Sequence, residues 1–217
     1  MKRVVIIGAG GHAREVADIL RQQIADEQTV LGFVVDDPQN HAESIGGLPV
    51  LGNWDWFQTA NRDELFVICA IGSPVARKRL VERAVARQLQ FTNAVSPLAY
   101  VSPSATLGEG VMIFPFSFIS AASAVGDHAI INAGATVSHQ TSVARYGTLS
   151  PGVNLAGNVS IGEGSFIGIG ASVIQGTAIG AWSTIGAGAV VIRDVAEKET
   201  VAGVPARVIG SEAEDGK

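Results

Sequence analysis

The chain has 217 residues, 47% of them hydrophobic and 16% charged, which supports a sizeable buried core and excludes a disordered chain. A net charge of -5 without a basic stripe excludes a general nucleic-acid binder, and a lone cysteine, Cys69, excludes an intrachain disulfide framework. Twenty-six glycines against 6% aromatics point to many tight turns around small aliphatic side chains.

In chain order, Met1-Lys2-Arg3 precedes Val4–Ile7, an apolar run too short for a signal peptide or a spanning helix, so a cytoplasmic protein is expected. Val4–Ile7 reads instead as a buried strand, followed by a helix from Ala13 to Gln23 with Val16, Ile19 and Leu20 on one face. Val30–Val35 is a second strand, ending at Asp36 and Asp37. Leu65–Ile71 is a third, in which Cys69 is core filler. A helix from Pro74 to Gln88 then carries Leu80, Val81 and Val85 on its apolar side. Strands alternating with helices in this order predict a small parallel α/β sheet, Rossmann-like, over residues 1–92.

From Val101 the rule changes. An aliphatic residue recurs at every sixth position through Leu107, Ile113, Ile119 and onward to Val191, with no hexad missed. The residue two before each is mostly small or β-branched, as at Ala105, Val111, Ser117, Ser123, Ala129, Ala135 and Thr141. Positions two apart share one face of a strand, so each hexad is a short strand pointing one large and one small side chain inward, then a corner. Units of this size bury their apolar face only by stacking, which predicts a parallel β-helix of about five triangular coils, roughly 25 Å tall, over residues 93–209. A helical reading fails because a period of six drifts around a 3.6-residue turn and glycine is too frequent. Pro97 and Pro103 mark the joint, and residues 210–217 read as a disordered polar tail.

The hexads, the motif Gly8-Ala9-Gly10-Gly11-His12-Ala13, the strand ending in Asp36-Asp37, Gly72-Ser73-Pro74 before a basic helix, and Gly203-Val204-Pro205-Ala206 together resemble one family. It is the hexapeptide-repeat sugar acyltransferases, which include the sialic acid O-acetyltransferases and the nucleotide-aminosugar N-acetyltransferases. The resemblance covers nearly the whole chain to Ile209. It implies a left-handed coil, acetyl-CoA as acyl donor, a nucleotide-linked amino sugar as acceptor, and a homotrimer with active sites between subunits.

His139 occupies a corner, and one coil further on lies Gly157. An imidazole there can take a proton from an attacking amine or hydroxyl, and the N–H of Gly157 can donate to the oxyanion of the thioester. The resemblance assigns these roles to the matching positions; the bland alternative is an exposed histidine with no task. Two residues depart from the N-acetyltransferase pattern. Gln140 replaces the acidic residue that orients the ring, and Thr148 replaces a second histidine; both departures lean toward the O-acetyl branch. The resemblance lays the pantetheine arm along Ile169 and Ala187 and the adenosine end near Gly203, Val204 and Pro205, and puts Asn132 beside the acceptor. Plain coil packing explains the small residues equally well.

The loop at Gly8, Gly10 and Gly11 follows a strand and opens a helix, which suits a phosphate cradled on backbone N–H groups. The resemblance places the nucleotide-sugar there, with the base near Asp36 and Asp37 and His12 turned toward the sugar. A tight turn, a solvated acidic loop and a helix-start histidine are the alternatives. The glycine spacing also fits a nicotinamide dinucleotide, against which stands an α/β portion of only about 90 residues. O-acetylation of a sugar hydroxyl and a non-catalytic scaffold compete with the leading reading. No spacing among the four histidines supports a metal site.

Overall fold

The computed structural model describes residues 1–23 and 28–211, and the chain divides into two compact units, Met1–Pro97 and the part from Leu98 onward. In the first unit the elements are β1 (Lys2–Ile7), α1 (Gly11–Gln22), β2 (Gln28–Val34), β3 (Ser44–Ile45), β4 (Leu48–Gly52), α2 (Trp56–Thr59), β5 (Leu65–Cys69), α3 (Pro74–Val85), β6 (Gln90–Phe91) and β7 (Ala94–Val95). The sheet runs β3-β4-β2-β1-β5-β6, parallel except for the β3–β4 hairpin. β1 is central because Val4 to Ile7 are apolar on both faces, and all four are at most 1% exposed. α1 buries Ala13, Val16, Ala17, Ile19 and Leu20 and leaves its charges outside.

The boundaries differ from the sequence reading where turns intervene. Ile71 is outside the third strand, its N–H donating to the Cys69 carbonyl in the turn toward α3. α3 stops at Val85, which is 58% exposed, and Gln88 at φ 56° turns the chain into β6. β3, β4, α2 and β6 are too short to show a period, which is why the sequence did not reveal them. The compact units part after Pro97, beyond the expected boundary at 92, because β7 packs on α1 and Ala94 is wholly buried.

The second unit is a left-handed parallel β-helix. Two-residue strands recur from Tyr100–Val101 to Val190–Val191, and the second residue of each is the hexad aliphatic. Strands 18 residues apart pair in parallel, as Phe118↔Thr136 and Ile119↔Val137 do, so three ladders stack as three faces. The aliphatics from Ile113 to Val191 are at most 2% exposed, each contributing roughly 1.5–3 kcal/mol. The small inward residues from Val111 onward are buried too, and Ser123, Thr141 and Ser165 donate their hydroxyls to the carbonyls of Ser138, Ala156 and Gly180 in the next coil.

Every corner needs one left-handed residue. At each sixth position from Gly110 to Gly188, φ lies between 55° and 73°, and Phe116, Ala122, His128, Gln140, Tyr146, Asn158 and Trp182 hold that conformation without being glycine. The last strands are Glu199–Ala202 and Arg207–Ser211, an antiparallel pair that includes Gly210 and Ser211, both assigned to the tail by the sequence reading. The rest of that tail, residues 212–217, lies outside the described residues.

Candidate active site

His139 and Gln140 form one corner and Gly157 and Asn158 the corner one coil further on, linked by Asn158 N–H donating to the His139 carbonyl at 2.9 Å. The exposed imidazole lies against buried Gly157: a Cβ there would stand 2.4 Å from Cε1 and 2.6 Å from Nε2 of the ring. Only a glycine allows this seat. The Gly157 N–H has no acceptor among the described residues, while its carbonyl accepts from Gly176 N–H at 3.1 Å.

Nδ1 of His139 lies 3.3 Å from Oε1 of Gln140. An amide oxygen only accepts, so the contact keeps the proton on Nδ1 and leaves the Nε2 lone pair as the base. Gln140 holds this contact from φ 57°, a conformation costing a non-glycine residue about 1 kcal/mol. Gln140→Gly should therefore raise the thermal midpoint slightly while lowering kcat several-fold, because the ring loses its orienting partner. An unchanged kcat would show that Gln140 does not orient the base.

Along another edge, Ala133, Pro151, Ile169 and Ala187 stack by the same step, joined by Gly152, Gly170 and Gly188 N–H groups donating to Ala133, Pro151 and Ile169 carbonyls. Ile169 is 61% exposed and Val204 73%, large apolar surfaces with no cover in their own unit. Gly203 and Pro205 are likewise exposed, and Gly203 accepts from Val190 N–H at 3.0 Å. Asn132 is committed to the coil: its Nδ2 donates to the Leu149 carbonyl at 2.7 Å, leaving Oδ1 for a ligand. Thr148 is 3% exposed.

In the first unit a cavity of about 400 Å³ is lined by Gly8, Gly10, Asp36, Asp37, His41 and Trp54, among others. Gly8 has φ +105° and lies so close to Ile71 that a Cβ would come within 2.7 Å of Cδ1. Gly10 caps α1 without any side-chain hydrogen bond, and neither Gly10 nor Gly11 has an atom within 4 Å of where a Cβ would stand. This leaves open room at a helix N-terminus whose first turn holds no acid. Asp37 is already occupied, accepting from Gln39 N–H and Asn40 Nδ2. Asp36 takes Arg83 Nη1 at 2.6 Å. The sequence reading did not single out Arg83, Trp54 or Arg77. Arg77 is wholly buried and pins the Ile71 and Gly72 carbonyls at 2.8 and 3.0 Å.

Burial, and secondarily the Arg77 charge, lowers His12 from 6.5 to about 4. Its 3.9 Å approach to the exposed Glu15 carboxylate is therefore no ion pair at neutral pH, since desolvation outweighs so weak a partner. The unfolded chain takes up this proton near pH 6.5 and the folded one only near 4, so stability falls as pH drops through that window, by roughly 3 kcal/mol from this group. Thermal unfolding from pH 7 to 4 should show the midpoint falling in the parent and a shallower decline in His12→Gln.

A family model for the PglD N-terminal domain matches residues 3–84, and one for the bacterial transferase hexapeptide (six repeats) matches residues 158–193. PerB from Caulobacter crescentus, solved with CoA and GDP-perosamine, is 41% identical at a TM-score of 0.89, over 97% of this chain and 98% of that one. The chain belongs to the hexapeptide-repeat sugar N-acetyltransferases. Also similar to this family member is the acetyltransferase domain of PglB from Neisseria gonorrhoeae in complex with acetyl coenzyme A, 34% identical at a TM-score of 0.88 over 96% and 99% of the two chains. A curated relative, UDP-N-acetylbacillosamine N-acetyltransferase of Bacillus subtilis (strain 168), is 38% identical over 123 residues, and the match spans 52% of this chain and 51% of that relative. Among the described residues no helix is long and apolar enough to cross a membrane, and no group of three His, Cys, Asp or Glu residues is placed to hold a metal.

Proposed function

We propose that this protein transfers the acetyl group of acetyl-CoA to the amino group of a nucleotide-linked amino sugar, by direct attack within a ternary complex. The observation that carries the reading is the His139 imidazole seated on Gly157 with its Nδ1 held by Gln140. Nε2 takes a proton from the sugar amine as its nitrogen attacks the thioester carbonyl. The Gly157 N–H donates to the developing oxyanion, which then collapses, breaking the C–S bond, and CoA leaves as the thiolate to be protonated. Cys69 takes no part: it is buried, and burial pushes its thiol up to about 12, too weak an acid for a covalent relay.

Ile169, Ala187 and Gly203 to Pro205 form the wall for pantetheine and adenosine, and Asn132 Oδ1 faces the acceptor. Their exposed edge is half a groove, so a homotrimer completes it with a neighbouring subunit. The loop from Gly8 to His12 holds the diphosphate and sugar, and Asp36 and Asp37 border the base. The same reading places the protein in the cytoplasm. N-acetylation is favoured over O-acetylation because two similar proteins, UDP-N-acetylbacillosamine N-acetyltransferase of Bacillus subtilis and GDP-perosamine N-acetyltransferase of Caulobacter crescentus, are N-acetyltransferases. The test is thiol release from acetyl-CoA against a panel of nucleotide-linked 4-amino sugars and sialic acids. Turnover of an amino sugar supports the proposal. Turnover of a sialic acid alone, or silence together with no acetyl-CoA binding, overturns it.

A further inference from the structure

A diphosphate entering the first unit meets a cavity whose own border has the wrong sign. Asp36 and Asp37 line it, and no lysine or arginine is among the described residues that do. The glycine loop offers backbone N–H groups, which are partial charges only. A full positive charge stands directly behind the wall. Arg77, near the start of α3, is 0% exposed. Arginine is almost never fully buried unless it is paired, because taking a guanidinium out of water is costly.

Arg77 Nη1 donates to the carbonyls of Ile71 at 2.8 Å and Gly72 at 3.0 Å. Ile71 itself lines the cavity, and its Cδ1 sits so near Gly8, another lining residue, that a Cβ on Gly8 would come within 2.7 Å of it. The guanidinium is therefore separated from the cavity by the thickness of one residue. These two acceptors are neutral carbonyls, which hold the group in place without cancelling its charge. The charge also reaches the loop. Beyond the effect of burial, it disfavours the His12 cation at the start of α1 and favours the Cys69 thiolate at the end of β5. A charge fixed in a buried wall is screened less than one at the surface, and no side chain has to be ordered when the ligand binds.

We propose that Arg77 is a positioning residue for the nucleotide-linked acceptor: held out of contact behind Ile71 and Gly72, it supplies the positive charge that retains the acceptor's diphosphate in the cavity. The inference rests on the nucleotide-sugar reading above for the use of the cavity. It goes beyond that reading by assigning the charge that a cavity bordered by two acids lacks. An arginine with only a structural role would need no more than N–H donors for two carbonyls. Arg77→Lys and Arg77→Gln separate the two roles, since both keep donors and only lysine keeps the charge.

The experiment is equilibrium binding of GDP and UDP to the parent and both variants at about pH 6.5, where lysine keeps its proton. The tighter of the two nucleotides is the probe, and acetyl-CoA binding and the far-UV spectrum are the controls for the fold. Arg77→Gln should bind the probe about tenfold or more weakly than the parent, Arg77→Lys within about threefold of it, and acetyl-CoA should bind all three alike. Parental affinity in Arg77→Gln overturns the inference, as does an Arg77→Lys variant as weak as Arg77→Gln. A measurement on the parent decides the matter if Arg77→Gln does not fold. The charges facing His12 are Arg77 from α3 and, at 3.9 Å, Glu15 from α1 itself. Saturation with the probe should raise the His12 titration midpoint, followed by NMR, from about 4 by about half a pH unit or more, because the diphosphate offsets the field of Arg77. An unmoved midpoint overturns the inference. Failure of the underlying reading looks different: neither GDP nor UDP then binds the parent, and the use of the cavity falls with the role of Arg77.

Discussion

Replacing His139 with alanine should lower kcat for acetyl transfer by about 10²–10⁴ while leaving acetyl-CoA affinity within a few-fold of the parent. The side chain is exposed at its corner, and its contacts are the α-carbon of Gly157 and the amide of Gln140, so the coil keeps its packing without it. What disappears is the group that removes a proton from the attacking nitrogen. The acceptor amine must lose that proton to bulk water in the variant, so the residual rate should climb with pH as more of the amine is free. Steady-state thiol release at several pH values, alongside equilibrium binding of acetyl-CoA, reads both effects. A variant with parental kcat would remove the base from the mechanism. A variant that no longer binds acetyl-CoA would show that His139 holds the donor and not the proton.

The step from His139 to Gly157 was legible because a hexad repeat converts sequence spacing into spatial adjacency: 18 residues is one coil, and side chains one coil apart touch. The same logic made the buried aliphatics and the small inward residues readable before any coordinates. The capacity of Gln140 to accept from the ring was legible from its chemistry, and the 3.3 Å contact carries it out. In the first unit no such translation exists. Arg83 is 47 residues from Asp36, and only their hydrogen bond in the folded chain reveals that they meet. For Asn132, nothing in its own hexad says that its Nδ2 is spent on the carbonyl of Leu149. The occupation of Asp37 did leave a local signal, since Asp37-Pro38 opening the short 3-10 turn Pro38–Asn40 is a capping pattern. His12 shows the limit most plainly, because its neutrality comes from burial and from the charge of Arg77, neither of which the glycine-rich motif announces.

Gly157→Ala should cost about a hundredfold or more in kcat with little loss of stability, a combination that a coil glycine does not ordinarily show. Gly157 is not among the residues with left-handed φ, so alanine can adopt its backbone without strain. The added methyl has nowhere to go except into the imidazole, at 2.4 Å from Cε1 and 3.0 Å from Nδ1, and the exposed ring is the partner free to move. As the ring swings away it leaves Gln140 and carries Nε2 off the line of the attacking amine, while the Gly157 N–H remains in the alanine backbone as oxyanion donor. The effect thus runs through His139 alone. The double variant His139→Ala, Gly157→Ala should therefore be no slower than His139→Ala by itself, because the displaced ring is already gone. Two costs that multiplied in the double variant would mean that the methyl blocks the thioester directly. In that case the glycine would serve the donor's approach and not the seat of the base.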